Sequence, residues 1–330
     1  MAGEKEAARS ARLQDLLGRE GLTVRELDLT AAQLGALLPL LGHAVAETAN
    51  HAVEISQSGA YREAGVCGEA FGTGGGDGAS VRFHPESVGT AVVCAPSESA
   101  GHGDHVGDGA GCALEVFTPA GESAHRVRLH AAADRRLAER VARGEFRPDP
   151  VSRIPSSWRT SGTAAWPYRP WADVGWEGAD QLAQLDEMLT DGGVRRRRRL
   201  ATGGGAPMSP REIDVTVLPL VLEHLCARGL PVTAAVFASG VMQAAAGRVH
   251  AVARAGDRIR VLVGGAVIEL DPVAAADALV VNAHGVHGPT AAVELYDGDG
   301  ACVVAFTQLG MVGTSDHEAW QHLTGSLPAA

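Results

Sequence analysis

The chain has 330 residues, enough for about two domains, and at 45% hydrophobic and 20% charged residues it has the material for packed cores, which excludes global disorder. A net charge of −11 repels phosphate backbones and anionic lipid, and six Phe, five Trp and three Tyr are too few for stacking platforms, so nucleic-acid binding is disfavoured. Lys5 is the sole lysine, which leaves Arg, His and backbone amides for anion recognition and excludes Schiff-base chemistry on any later residue. The five cysteines form no CxxC pair and are odd in number, against a disulfide framework or a structural zinc site.

In chain order, residues 1–20 are charged and amphipathic, without the apolar core of a secretory leader, so a cytoplasmic protein is expected. RELDLT at 25–30 precedes a helical spacing of Leu34, Leu37, Leu38 and Leu41. Strands follow, then a Gly-rich loop in which His102, Asp104 and His105 have metal-compatible side chains but nothing to fix their geometry. LEVFTPAGESAHRVRL at 114–129 alternates on either side of a Gly turn and reads as a hairpin. Residues 144–176 hold four of the five tryptophans among Pro and Arg, the composition of a linker that packs rather than floats. A helix over Ala179–Asp191 ends at Gly192-Gly193, ahead of the basic run Arg195–Arg199.

The same order of blocks then recurs. REIDVT at 211–216 matches RELDLT, Leu218, Leu222 and Leu225 give a helix, Gly247 matches Gly59, and Pro272 matches Pro85, all at an offset of about 186–188. VELYDGDGACVVAF at 293–306 matches the earlier hairpin at 179, which places about nine extra residues in the polar loop of the first copy. The uncharged stretch Gly229–Gly247 approaches a membrane span in length, but Ala, Gly, Ser and Pro231 favour two buried strands around Ala238-Ser239-Gly240, so no membrane insertion is expected. Strand runs without alternating helices give an α+β fold of two tandem repeats, each an antiparallel β-sheet with flanking helices. The expected boundaries are 1–145 and 177–330 for the repeats, with 146–176 between them.

These blocks resemble the haemin-degrading and haem-trafficking proteins of bacterial haem-uptake loci, the HemS/ChuS type. LLPLLGHAVAETANHAVEISQSGAY is similar to that family's leucine-rich helix block, LEVFTPAGESAHRV and VELYDGDGACVVAF to its two hairpins, and the EAW around Trp320 to its last helix. The resemblance spans about residues 20–325 and implies two antiparallel-sheet repeats with haem, as ligand or substrate, held between them. It also implies a cytoplasmic role in haem utilisation and iron acquisition, with a haem-uptake transporter or a downstream haem oxygenase as partner. Aligning Gly193-Val194 and Arg196 to the family's "GVxR" places Ala183 where its iron-ligating His stands, and no His occurs between His130 and His224. Arg196 matches the haem-side Arg, whereas the first-repeat Arg is replaced near Gly111-Cys112, and Phe306 and Leu309 replace a Tyr and an Arg.

A haem site needs an axial donor, an apolar slot and cations for the propionates. His284 and His287, in the loop that follows a buried strand in place of the family's "RKP", are the candidate donors, and Arg196 the propionate partner, against a solvated basic run. His224 and His250 read as structural histidines on apolar segments, and Cys226 and Cys302 as small core residues. No GxSxG, HExxH, P-loop or GxGxxG in a strand-to-helix context is present. Oxygen activation by haem iron needs no acid–base dyad, so oxygenase-like haem degradation stays compatible with that absence. The alternative reading is a non-catalytic paralogue that kept the fold and lost the iron ligand.

Overall fold

The computed structural model describes residues 11–61, 64–67, 70–73, 78–96, 111–149, 185, 188–189, 192–203, 208–285, 288–309 and 312–330. The first half opens with α1 (Ala11–Gly18), β1 (Leu22–Leu27) and α2 (Ala31–Leu37). Thr30 starts α2 with a capping box: its hydroxyl accepts from Gln33 N while the Gln33 side chain accepts from Thr30 N. Strands β2 (Ala44–Ala49), β3 (Val53–Gly59), β4 (Ala64–Cys67), β5 (Ala70–Thr73), β6 (Ser80–Phe83) and β7 (Thr90–Pro96) follow. The hairpin β8 (Ala113–Phe117) and β9 (Ser123–Leu129) and helix α3 (Ala132–Ala142) close the half.

The second half repeats this order. It runs through α4 (Val194–Ala201), β10 (Met208–Ile213), α5 (Leu218–Arg228), β11 (Pro231–Ala238) and the long β12 (Val241–Ala255). It ends with β13 (Arg258–Val263), β14 (Ala266–Leu270), β15 (Asp277–Gly285), β16 (Gly288–Tyr296), β17 (Cys302–Gln308) and α6 (Ser315–Ser326). The α+β architecture of repeated antiparallel sheet and flanking helices is therefore as the sequence indicated. The uncharged Gly229–Gly247 stretch forms β11, its turn and half of β12, paired Ala238 to Val241. No helix among the described residues is long and apolar enough to cross a membrane.

The strands make two antiparallel runs that exchange ribbons. One runs β1-β7-β8-β9-β2-β3 and then continues through β14, β13 and the far half of β12. The other runs β10-β15-β16-β17-β11, then the near half of β12, and continues through β6, β5 and β4. Each half of the chain thus lends a three-stranded ribbon to the sheet of the other. β12 passes between the sheets at a register shift between Val249 and Ala251, where an extra residue lets the strand bend.

Helices cover one face of each sheet. Leu34, Leu37 and Leu38 of α2 and its continuation meet Val93, Leu114, Val116 and Val127 in the first core. Leu218, Leu222 and Leu225 of α5 and Trp320 of α6 meet Val236, Val280, Val293 and Phe306 in the second. Ile55 of β3 and Ile268 of β14 belong to this second core, so the exchanged ribbon is cemented by side chains as well as by backbone pairing. Of the helix expected over Ala179–Asp191, Leu185, Met188 and Leu189 are helical and buried against the opposite face of the second sheet with Leu200 of α4. The remainder of that segment lies outside the described residues, as do the GHGDH loop and most of 146–176. His224 and His250, read as structural histidines on apolar segments, are exposed: one faces solvent between Leu222 and Leu225 on α5, the other points outward beside the bend of β12.

Candidate functional site

Four turns, two from each half, converge on a cleft of about 690 Å³. The β2–β3 and β8–β9 turns come from the first half, the β11–β12 and β16–β17 turns from the second, and Glu86 and Ser87 close one side. Gly192, one residue before the left-handed Gly193 that starts α4, borders it where the inter-repeat segment arrives. The Gly192 carbonyl accepts from Cys302 N at 2.7 Å, which ties that arrival point to the β16–β17 turn.

Asn50 holds the two halves together at this place. Its amide nitrogen donates to the Phe237 carbonyl at 2.8 Å and the Val303 carbonyl at 2.9 Å, both in the second half. Its Oδ1 accepts from Ala52 N and Val53 N, the hydrogen-bond pattern of an Asx turn. His51, next in the chain, projects into the cleft with its side chain 57% exposed, Nε2 3.8 Å from Asp297 of the β16–β17 turn. Asp297 is fixed from below, since its Oδ1 accepts from Asp299 N and Ala301 N. A second contact crosses in the opposite direction: Ser239 Oγ of the β11–β12 turn donates to Glu122 of the β8–β9 turn at 3.2 Å. Gly240 follows at φ +73, and an added Cβ would overlap the Ser87 side chain, so this turn requires glycine on two counts.

Phe237, Ala238, Val303, Ala120 and Pro119 supply an apolar wall, whereas the charged groups are the carboxylates of Glu86, Glu122 and Asp297. No Arg or Lys is among the described lining residues. The described N and S donors are His51 and Cys302. The Cys302 thiol is buried, Sγ donates to the Val304 carbonyl at 3.6 Å, and burial pushes its pKa well up, so it stays protonated. No group of three or more His, Cys, Asp or Glu among the described residues is arranged to hold a metal ion.

The residues singled out from the sequence lie apart from one another. Arg196 is wholly buried in α4, not in a solvated basic run: Nε and Nη2 donate to the two carboxylate oxygens of Glu294 at 3.0 and 2.5 Å, and Nη1 lies 3.4 Å from the Met208 sulfur. Tyr296 donates to Glu294 at 2.5 Å, and burial together with that carboxylate raises its pKa. Arg197 pairs with Asp277 and lies over the Tyr296 ring, while Arg195, Arg198 and Arg199 face solvent. His284, one residue before the end of β15, stands opposite Pro289, and His287 lies outside the described residues. Seven strand positions, about 23 Å, separate Pro289 from Tyr296, where the β15–β16 hairpin meets the cleft. His284 and Arg196 are therefore not brought together. His51, Asn50 and Asp297 were missed because each looks like an ordinary turn residue; the one local signal was Asn50 before a Val-Glu-Ile strand.

A second buried polar group lies in the first half. His125 on β9 is fully buried, with Nδ1 2.8 Å from Thr48 Oγ1 and Nε2 3.0 Å from the Tyr61 hydroxyl, and it meets the Phe83 ring edge to face. Burial lowers its pKa to about 3, so the imidazole is neutral.

Residues 193–327 match the family model described as the haemin-degrading HemS.ChuX domain. No curated protein matches the chain by sequence. Among solved structures, apo-PhuS, described as a heme-binding protein from Pseudomonas aeruginosa, is 22% identical with a TM-score of 0.69, over 98% of this chain and 94% of that one. ChuS, described as an E. coli heme oxygenase, is 16% identical with a TM-score of 0.65, over 98% of this chain and 92% of that one. Both likenesses extend the shared fold across the first half as well. The second half thus matches the haemin-degrading HemS.ChuX domain model, and the fold of the whole chain is similar to that of PhuS and ChuS.

Proposed function

We propose that the chain binds haem, or a related tetrapyrrole, in the cleft between its halves, and serves haem utilisation by passing the ligand on or by degrading it. The cleft carries this reading: both halves build it, an imidazole stands in it, and the matched proteins of this fold are described as heme-binding and heme-degrading. Its volume lies within the usual range of small-molecule sites, and its wall offers the apolar surface a macrocycle needs. When bound, haem supplies a redox-active iron, and the protein's part is to hold and orient it.

Carboxylates without a cation among the described lining residues direct the propionates outward, to solvent. Arg196 could meet a propionate only after Glu294 released it, and opening a buried pair of this kind costs about 3–5 kcal/mol. We therefore assign Arg196 to anchoring α4, whose first turn abuts Gly192 at the cleft. In this reading residues 1–145 and 177–330 are the two repeats, 146–176 joins them, and the protein works in the cytoplasm beside a haem-uptake transporter or a downstream oxygenase.

Haemin titration of the full chain, followed at the Soret band, tests the proposal. A saturable one-to-one transition supports it. Nonspecific association alone leaves the non-catalytic paralogue that lost its ligand. His284→Ala and His287→Ala belong in the same series, since a changed Soret band in either would move the ligand from the cleft to the hairpin tip. Loss of the band under oxygen and a reductant would separate degradation from trafficking.

A further inference from the structure

We propose that His43 and His130 form a two-imidazole site for a divalent transition-metal ion, backed by the Asp134 carboxylate. The site is independent of the cleft: it lies at the far end of β2, seven strand positions or about 23 Å from Asn50. The β2–β9 ladder ends with Ala44 opposite Leu129, so the next step of the same register sets His43 opposite His130. A hydrogen bond just beyond holds the two segments together: Gly42 N donates at 2.9 Å to Oδ1 of Asp134, in the first turn of α3. Ala44 and Leu129 point into the core, which turns both histidines to the outer face, and both are exposed. Directly opposed side chains have Cβ atoms about 4.5–5.5 Å apart, so two rings there can each turn a nitrogen to one ion at about 2 Å.

Two features point to a cation rather than to two solvated side chains. Asp134 is 5% exposed, and its Oδ2 has no hydrogen-bond partner among the described residues, which leaves a buried negative charge beside the turn that carries His43. The carboxylate lies directly against that turn, since a Cβ on Gly42 would stand 3.5 Å from both of its oxygens. The duplicated frame supplies the second feature. In the other half the same register sets Pro231 opposite Leu309, one step beyond Val232 and Gln308. Neither is a ligand, so packing in this fold does not call for histidine there. Arg128, two positions before His130 on the same face, is neutralised by Glu47. Imidazole donors suit copper, nickel and zinc, and the usual order of affinities puts Cu2+ first. No third His, Cys, Asp or Glu among the described residues completes the set, so the protein supplies two ligands and solvent the rest.

The full chain is titrated with Cu2+ by calorimetry beside His43→Ala, His130→Ala, the double variant, Asp134→Asn and a His102→Ala/His105→Ala control. Both histidines are exposed, and circular dichroism confirms that each variant is folded. The wild-type chain is expected to bind a single equivalent tightly, with nitrogen hyperfine structure from two imidazoles in its electron paramagnetic resonance spectrum. Either single replacement should weaken binding about 100-fold, the advantage of a second contact made within one molecule. The double variant should fall little further, because one imidazole without the other is no chelate. Asp134→Asn keeps the acceptor for Gly42 N, removes the charge and should cost about tenfold; an unchanged affinity strikes the carboxylate from the site. Wild-type affinity in either single variant overturns the proposal, as does loss of binding confined to the His102/His105 control. Losses that add in the double variant overturn it too, since they describe two separate histidines. None of these outcomes bears on the haem reading, which is tested at the Soret band.

Discussion

The two halves fill one frame, bury a carboxylate at the same hairpin position, Glu115 and Glu294, and differ in the other polar groups they enclose. In the first, His125 stands between Thr48 and Tyr61 as a neutral group with both ring nitrogens bonded. Its place on the hairpin corresponds to Val304 in the second half, an apolar residue at the same distance past the turn. In the second half the polar load sits on the other face of the sheet and is ionic: Arg196, Glu294 and Tyr296, all buried. Duplication preserved strand order and ribbon exchange but left each half free to satisfy its buried polar atoms in its own way. The neutral network responds to pH, whereas the ionic one fails when either partner is removed.

Breaking the ionic network has the largest expected effect. Glu294→Ala leaves the Arg196 guanidinium in a dry site without its bidentate partner, and the expected loss is about 3–5 kcal/mol in urea unfolding. Replacing Arg196 and Glu294 together with Met and Leu should recover most of that loss, because the cost lies in the orphaned charge rather than in the missing pair. A Glu294→Ala protein within 1 kcal/mol of wild type would show that the halves do not differ in this way.

Acid sharpens the comparison from the other side. His125 has a folded pKa of about 3 against an unfolded value near 6.5, so between these limits the unfolded chain binds the extra proton. The stability held by its neutral form is complete above the unfolded pKa and drains away as pH falls toward the folded one, at about 1.4 kcal/mol per pH unit. By pH 5 the loss from this group is about 2 kcal/mol. His125→Gln should flatten the pH dependence of the unfolding free energy by one proton over that window. An unchanged slope would mean that the ring is already charged in the folded state.

Much of the frame was legible because it is local. The Leu34–Leu41 and Leu218–Leu225 spacings gave α2 and α5, and the Ala238-Ser239-Gly240 turn gave the β11–β12 hairpin. The ribbon exchange was not, since β14–β3 and β6–β12 pair residues roughly 160–220 positions apart, and such pairing leaves no periodic trace. Arg196 was read as a propionate partner from its match to the haem-side Arg of the resembled family, but its spacing of four from the buried Leu200 already placed it on the inner face of α4. His125 shares the inward phase of Val127 and Leu129, a signal present in the alternation and passed over. The cleft escaped because its parts are four short turns, each unremarkable alone, that meet only in the assembled fold.

The smallest effects lie in that cleft, where the two cross-half contacts can be compared directly. Asn50 donates to two carbonyls of the second half and accepts from two amides of its own turn, all part-buried. Ser239 makes one exposed contact with Glu122. Asn50→Ala should therefore cost about 1–2 kcal/mol, since Phe237 and Val303 keep carbonyls that water reaches poorly. Ser239→Ala should stay within about 0.5 kcal/mol, as surface substitutions do. Unfolding of both variants in urea measures the difference, and equal losses would assign the joint between the halves to the exchanged ribbons alone. The two sites lie on neighbouring turns, so the double variant adds a further test: a loss equal to the sum of the single ones means that the first half's turn is clamped independently of the second's. In that case Asn50 holds the β2–β3 turn against the second half by its own hydrogen bonds.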